Sequence, residues 1–278
     1  MNSKQASAVE TFRALHASGC FVLPNPWDAG SAIYLEHVGF KALATTSAGF
    51  AFAEGLPDGG VALNLMLDHF RDLVGATSLP VNADFQNCYA DDPDGVAENV
   101  RLCVETGVAG LSIEDSTGNS TTPLYDFDLA LERVKAARAA IDATGTAVVL
   151  TARCEAYLVG DPDPLRTSLE RLVAFAGAGA DCLYAPGVTT ADEIATIVKA
   201  VAPKPVNVLL YMKNCDLTLQ QLTDLGVRRI SLGSSLARAA WTGVTTLTKE
   251  IQETGQFTSL AEATTFDFNR LFREHSKG

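Results

Sequence analysis

Histidine is scarce in this chain of 278 residues: there are four, His16, His37, His69 and His275, and none lies near another. That excludes a histidine-rich zinc or iron centre. The six cysteines (Cys20, Cys88, Cys103, Cys154, Cys182, Cys215) are scattered and form no CxxC pair. The start, MNSKQASAVETF, is too polar for a signal peptide. The thiols are therefore expected to be reduced, and the chain to be cytoplasmic. No apolar run is long enough to cross a bilayer. Positive charge is short, 21 Lys and Arg against 33 Asp and Glu, for a formal charge of −12. Nucleic acid and anionic membrane surfaces are repelled by such a field and are set aside as partners. Neither GxGxxG nor GxxxxGK[ST] occurs, which argues against a dinucleotide or P-loop site. No Pro/Ser-rich linker breaks the chain, so 1–278 is read as one domain.

What is present is alternation. Short apolar runs read as buried parallel strands near Phe21–Leu23, Ala42–Ala44, Val81–Ala83, Gly110–Ile113, Val148–Thr151, Cys182–Tyr184, Val206–Leu209 and Arg229–Ser231. Between them lie longer amphipathic stretches, such as Leu63–Ala76, Pro164–Gly177 and Ala191–Val201. Gly39, Gly107, Gly179 and Gly226 stand just before strands, where a helix exit wants glycine. Eight such units predict an α/β fold, a (β/α)₈ TIM barrel with parallel strands. Residues 234–273 remain as a helical C-terminal extension carrying Trp241, Phe257, Phe266, Phe268, Leu271 and Phe272. So much aromatic surface either meets a partner subunit or closes the chain's own barrel.

In such barrels the C-terminal strand ends carry the chemistry. Asn25, Trp27 and Asp28 follow the first strand, and TTSAG (Thr45–Gly49) follows the second. Asp84, Gln86 and Asn87 follow the third, Glu114 and Asp115 the fourth, and Arg153 and Glu155 the fifth; Asn207 lies on the seventh. Packing alone needs no acids on successive strand ends. Asp84 and Glu114, converging beside Gln86 and Asp115, would make an oxygen-rich pocket. Hard oxygen donors without histidine favour Mg²⁺ or Mn²⁺. The alternative is that these acids cap loops or pair with Arg153. That arginine, the one cation expected at the mouth, suits a carboxylate or phosphonate, or else a salt bridge to Glu114 or Glu155. TTSAG offers backbone N–H groups for a carboxylate or developing oxyanion, although small-residue turns are common.

The phrases PNPWDAGSA, ATTSAGFA, VNADFQNCYADDP, SIEDS and LTARCEAY, in this order from about Val22 to Ala240, resemble the isocitrate lyase/phosphoenolpyruvate mutase superfamily. The resemblance is nearest to its short mutase-like or decarboxylase-like members. It implies a Mg²⁺-binding barrel that acts on a 2-oxo acid through an enolate intermediate. By position, Asp84 would be the direct metal ligand, with Glu114 and Asp58 (in GLPDGG) acting through water and Gln86 beside them. Ser47, Ala48 and Gly49 would hold the substrate carboxylate and carbonyl, and Trp27 and Asn207 would line the substrate site. Arg153 would meet the substrate's distal charge. The resemblance also implies a homotetramer, a dimer of dimers built through the C-terminal helices.

Two departures stand out. Gln86 occupies a position where the superfamily usually has an acid, and Cys88 one where it usually has glycine. The loop after the fourth strand, STGNSTTPLYD, lacks the KKCGH-like segment of isocitrate and methylisocitrate lyases, so isocitrate cleavage is not expected. Asn119 and Thr121, with Ser120 and Thr122, instead resemble a polar gate, or else form a solvated lid. The leading expectation is a Mg²⁺-dependent lyase that breaks a C–C bond next to the keto group of a small 2-oxo or 2-hydroxy carboxylic acid. Its chemistry would resemble that of an oxaloacetate decarboxylase or an acylpyruvate or dicarboxylate lyase, through a metal-bound enolate. The alternatives are P–C bond chemistry of the phosphonopyruvate hydrolase or phosphoenolpyruvate mutase type, a non-catalytic 2-oxo acid binding protein, and a structural oligomer without ligand.

Overall fold

The computed structural model describes residues 3–211 and 216–276; Cys215 lies outside them. Eight parallel strands form one sheet in the order β1-β8-β7-β6-β5-β4-β3-β2. They are β1 (Phe21–Leu23), β2 (Leu43–Ala44), β3 (Val81–Ala83), β4 (Gly110–Glu114), β5 (Val149–Arg153), β6 (Cys182–Tyr184), β7 (Val206–Leu209) and β8 (Arg229–Ser231). β1 pairs with β8, and a bond from Ala44 N–H to Pro24 O at 3.0 Å bridges the seam between the first and second strands. The fold is a (β/α)₈ TIM barrel, as the alternation predicts.

The helices are α1 (Ser3–Ala17), α2 (Ala29–His37), α3 (Ser47–Ala53), α4 (Leu63–Ala76), α5 (Pro93–Glu105), α6 (Phe127–Thr144), α7 (Ala156–Val159), α8 (Pro164–Gly177), α9 (Ala191–Val201), α10 (Leu219–Asp224), α11 (Ser235–Thr254) and α12 (Phe268–His275). The four exit glycines adopt left-handed φ of +96°, +95°, +101° and +88°, a conformation that costs any other residue strain. One face of each barrel helix packs on the strands. Val100 and Val104 of α5, Leu172 of α8 and Ile197 of α9 join Leu111 and Leu150 of the sheet in one continuous core.

α1 plugs the N-terminal end of the barrel. Phe12 is fully buried there, and Gly110 is small because a Cβ would come within 2.6 Å of both Phe12 and Asn82 Oδ1. Burying that ring contributes roughly 2–3 kcal/mol. His16, next to the plug, lies 3.4 Å from Arg229. Burial first, then the Arg229 charge, lowers its pKa to about 3. With α1 across this end, the strand-end side chains of the barrel interior open only to the opposite, C-terminal mouth.

The C-terminal extension divides. α12 returns to the chain's own barrel: Phe266, just ahead of it, meets the Tyr34 ring of α2 edge-on at 5.2 Å, and Phe268 lies 6.0 Å from the same ring. α11 behaves differently. Ala237 is its one fully buried residue, and Trp241 and Val244 are about half exposed.

Candidate active site

Asp84 enters the mouth directly after β3. Its N–H donates to Thr45 Oγ1 at 2.8 Å, which fixes the backbone. Its Oδ2 accepts from both the N–H and the hydroxyl of Ser47, each at 2.9 Å. Its Oδ1 accepts from Arg153 Nη1, also at 2.9 Å. Glu114 ends β4 and stands opposite Arg153 in the β4–β5 register; its Oε1 lies 2.7 Å from the same Nη1. Arg153 Nε donates to Glu155 Oε1 at 2.8 Å, and the guanidinium lies 4.9 Å from the centre of the Tyr184 ring. One cation is thus shared by three carboxylates brought in by three strands.

The electrostatics follow from that crowding. Burial pushes Glu114 well above the ordinary carboxylate range; Arg153 opposes this, while Glu155 and Asp84 push the same way. Burial also raises Glu155, again against Arg153. Desolvation works against the Arg153 charge, but Glu114, Glu155 and Asp84 outweigh it and keep the guanidinium protonated. Burial raises the Tyr184 phenol to about 12. A cluster with more acids than bases is poised for added positive charge.

The predicted site residues fall into two groups. Asp84, Glu114, Arg153 and Ser47 are brought together. Ala48 and Gly49 lie beside them, but TTSAG is more than a small-residue turn. It opens helix α3, with Thr46 as N-cap accepting from Gly49 N–H at 3.1 Å. Of the three amides expected to be available, Ser47 N–H is engaged by Asp84 and Gly49 N–H by the cap. Gly49 is required by packing: a Cβ would sit 2.6 Å from Thr46 Cγ2, 3.1 Å from Ala237 and 3.2 Å from Trp27 Cβ. Trp27 thereby packs beside this turn. Asp58 is solvent-exposed on the following loop, and partial desolvation and then the charge of Asp84 raise its pKa.

Asp115, Asn119 and Thr121 stand apart from these side chains. Asp115 does not join the pocket. Arg171 Nη1 holds its Oδ2 at 3.0 Å and Glu155 N–H donates to its Oδ1 at 2.8 Å, so it serves as a buried brace between β4 and β5. Asn207, by contrast, lines the same small cavity as Asp84, Arg153 and Tyr184; it donates to Ser231 Oγ at 2.9 Å and accepts from Arg229 Nε at 2.8 Å, which engages both ends of its amide. Asn119 and Thr121 are exposed and bond to each other, Asn119 Oδ1 accepting from Thr121 N–H at 2.9 Å. They touch none of the three carboxylates.

The segment after Asp84 explains the Cys88 departure. Gln86, Cys88 and Tyr89 all take left-handed φ, +48°, +59° and +56°. Cys88 thus stands in a conformation that glycine adopts freely and an L-residue adopts under strain. Buried Arg133 holds this loop through Asn87 O at 2.7 Å and Ala90 O at 2.7 Å. The loop also brings in a residue the strand-end reading passed over. The Tyr89 hydroxyl is shielded from solvent without a hydrogen-bond partner among the described residues. Burial, then the charges of Asp84 and Glu114, raise its pKa. Its signal was present in the sequence as an aromatic five residues past Asp84, but alternation does not reveal that a strained loop folds it back.

Among the described residues no three His, Cys, Asp or Glu side chains gather closely enough to hold a metal on their own. The donor set still fits Mg²⁺, which binds one or two carboxylates and keeps several waters. Asp84 would supply one direct oxygen, with Glu114, which shares Arg153 Nη1 with it, near enough to act through water.

The sequence profile of the phosphoenolpyruvate phosphomutase family matches residues 12–252. The chain belongs to the isocitrate lyase/phosphoenolpyruvate mutase superfamily. A crystal structure from Burkholderia cenocepacia J2315, provisionally named a lyase/mutase, is 49% identical, covers 98% of this chain and 97% of its own, and superposes with a TM-score of 0.93. An uncharacterized protein of Mycobacterium tuberculosis (strain ATCC 25618 / H37Rv) is 33% identical over 81% of this chain and 82% of its own length. An oxaloacetate acetylhydrolase, solved with its product oxalate, is 25% identical with a TM-score of 0.84 over 97% of this chain and 94% of its own. The superfamily comprises lyases and mutases whose members generally depend on a divalent metal, and this member is an enzyme of the lyase/mutase type. No described helix is long and apolar enough to cross a membrane.

Proposed function

We propose that this superfamily member is a Mg²⁺-dependent carbon–carbon lyase that breaks the bond next to the keto group of a small 2-oxo or 2-hydroxy dicarboxylic acid. The observation that carries the reading is the shared contact of Asp84 and Glu114 with one nitrogen of Arg153, beside the Ser47 N–H. Asp84 would hold the cation, which when bound would supply Lewis acidity toward the 2-oxo group. Ser47 and Thr45 hold the Asp84 carboxylate in place. Arg153, oriented by Glu155, offers fixed positive charge where negative charge grows as the bond breaks. Glu114 is held within reach of the same centre, so little reorganisation is needed during reaction.

The test is incubation with Mg²⁺ and oxaloacetate, phosphonopyruvate or methylisocitrate, following release of pyruvate, oxalate and phosphoenolpyruvate against an enzyme-free Mg²⁺ control. Release from oxaloacetate or another C–C substrate supports the reading. Release from phosphonopyruvate alone points to P–C chemistry. No release, with Mg²⁺-dependent thermal stabilisation by oxalate, points to a binding protein. We further propose that the exposed face of α11 is covered by other copies in a homotetramer, which light scattering of the purified chain tests directly.

A further inference from the structure

Arg229 opens β8 and points into the barrel, where it is 2% exposed. Its bonds go to neutral acceptors. Nε donates to Asn207 Oδ1 at 2.8 Å and Nη2 to Thr151 Oγ1 at 3.1 Å, and Nη1 lies 3.4 Å from His16 Nε2. His16 Nδ1 donates to Phe12 O at 2.7 Å, which leaves Nε2 as the acceptor. Among the described residues no carboxylate pairs with Arg229. A buried guanidinium ordinarily meets one, because desolvating an unpaired charge is costly. Arg133, also buried without a carboxylate, spends its fork on the carbonyls of Asn87, Ala90 and Asp91. Arg229 has no such structural errand; it faces the barrel interior.

That interior leads to the site. Glu114, Arg153, Tyr184, Asn207 and Arg229 are successive register partners across β4 to β8, so one row of polar side chains runs from the mouth toward the plug. Arg229 and Asn207 line the same cavity of about 50 Å³ as Asp84, Arg153, Tyr184 and Ser231. The contact with Thr151 fixes the depth of the guanidinium. Thr151 precedes Arg153 by two residues on β5, roughly 6.6 Å along the strand and on the same face. The two arginines are thus one layer apart. The upper one is shared by three carboxylates, and the lower one is neutralised by none. An anion that approaches Asp84, Glu114 and Glu155 meets repulsion from all three, and Arg229 opposes that repulsion from below. In a site shielded from water such a charge acts over several ångströms.

We propose that Arg229 is a positioning residue whose unpaired charge, set in the floor of the cavity, draws in and holds a small carboxylate dianion at the Asp84 site. The ligand class rests on the proposed function. The charge acts from beneath, through the cavity and through the Asn207 amide that Nε orients. It therefore favours an anion at the mouth and disfavours a bare cation there.

Opposite signs make the test. Mn²⁺ alone, standing in for Mg²⁺, is titrated by electron paramagnetic resonance. Oxalate, a dianion, and oxamate, a monoanion with a similar chelating pair, are titrated by calorimetry at saturating Mn²⁺. Arg229→Gln is expected to weaken oxalate on the order of tenfold and oxamate about threefold, and to tighten Mn²⁺ alone several-fold. Arg229→Lys keeps the charge and is expected to stay within about twofold of the parent for all three. Thr151→Asp neutralises the guanidinium without removing it and is expected to follow Arg229→Gln, which keeps the test alive if that variant does not fold. Equal losses for Mn²⁺, oxalate and oxamate would mark a structural role only. That result, no change in any of them, or an Arg229→Lys variant that follows Arg229→Gln overturns the role of Arg229 and leaves the Asp84 site standing. No binding of oxalate to the unaltered protein in Mn²⁺ overturns the proposed function and the ligand class named here together.

Discussion

Asp84 and Arg153 meet at 2.9 Å across the barrel mouth, and Ser47 holds the acid's other oxygen from behind. The carboxylate is thus fixed on both oxygens before any ligand arrives. A cation at Asp84 must compete with Arg153 for Oδ1, so ligand and guanidinium occupancy are linked.

Asp84→Asn removes the charge and keeps the shape. Arg153 retains Glu114 and Glu155, so the fold is expected to survive with a melting temperature within a few degrees of the parent. Mg²⁺-dependent oxalate binding, measured by calorimetry, is expected to fall at least about 100-fold, since the one direct carboxylate ligand is lost. Retained binding would place the metal elsewhere.

Gln86→Glu restores an acid beside the site. Tighter Mg²⁺ binding is the expected result, by several-fold, read from the Mg²⁺ concentration that half-saturates oxalate binding. Unchanged affinity would show that the amide is no handicap and that Gln86 does not set metal strength.

Cys88 separates strain from packing. At φ +59° an L-residue costs roughly 1–2 kcal/mol relative to glycine, while the buried thiol contributes packing of comparable size. Cys88→Gly is therefore expected to lie within about 1 kcal/mol of the parent in urea denaturation, where loss of packing and relief of strain offset. Cys88→Val adds a branched Cβ to the left-handed backbone and is expected to cost more than about 2 kcal/mol. Equal stability of the two variants would refute the strain argument.

His69 gives a pH dependence away from the site. Its ring stacks on Phe50 at 3.7 Å, its Nε2 is buried without a partner among the described residues, and burial lowers its pKa to about 4. The unfolded chain binds that proton near pH 6.5, the folded protein only near pH 4. The stabilisation is therefore complete above pH 6.5 and is lost as pH falls toward 4, by at most about 1.4 kcal/mol per pH unit. His16, lowered to about 3, adds a parallel loss. His69→Phe keeps the stacking and removes one proton from the linkage. Between pH 7 and 5 it is expected to lose about 1–2 kcal/mol less than the parent; an identical loss would mean that His69 is not the titrating group.

The sequence by itself determined the barrel and the identity of its mouth acids. A buried parallel strand must be apolar on both faces, and helix exits need glycine. Five of the eight strands therefore keep the limits that their apolar runs define, and the other three shift by one or two residues. Local patterning stops at the strand end, because it carries no information about which way a side chain turns. Asp115 follows Glu114 directly, yet it faces Arg171 behind the sheet while Glu114 faces Arg153. TTSAG reads as a turn but begins α3, since its helical character comes from packing against Ala237 and Trp27. The left-handed run at Gln86–Tyr89 depends on Arg133, 44 residues from Tyr89 in sequence and bonded to the loop's carbonyls.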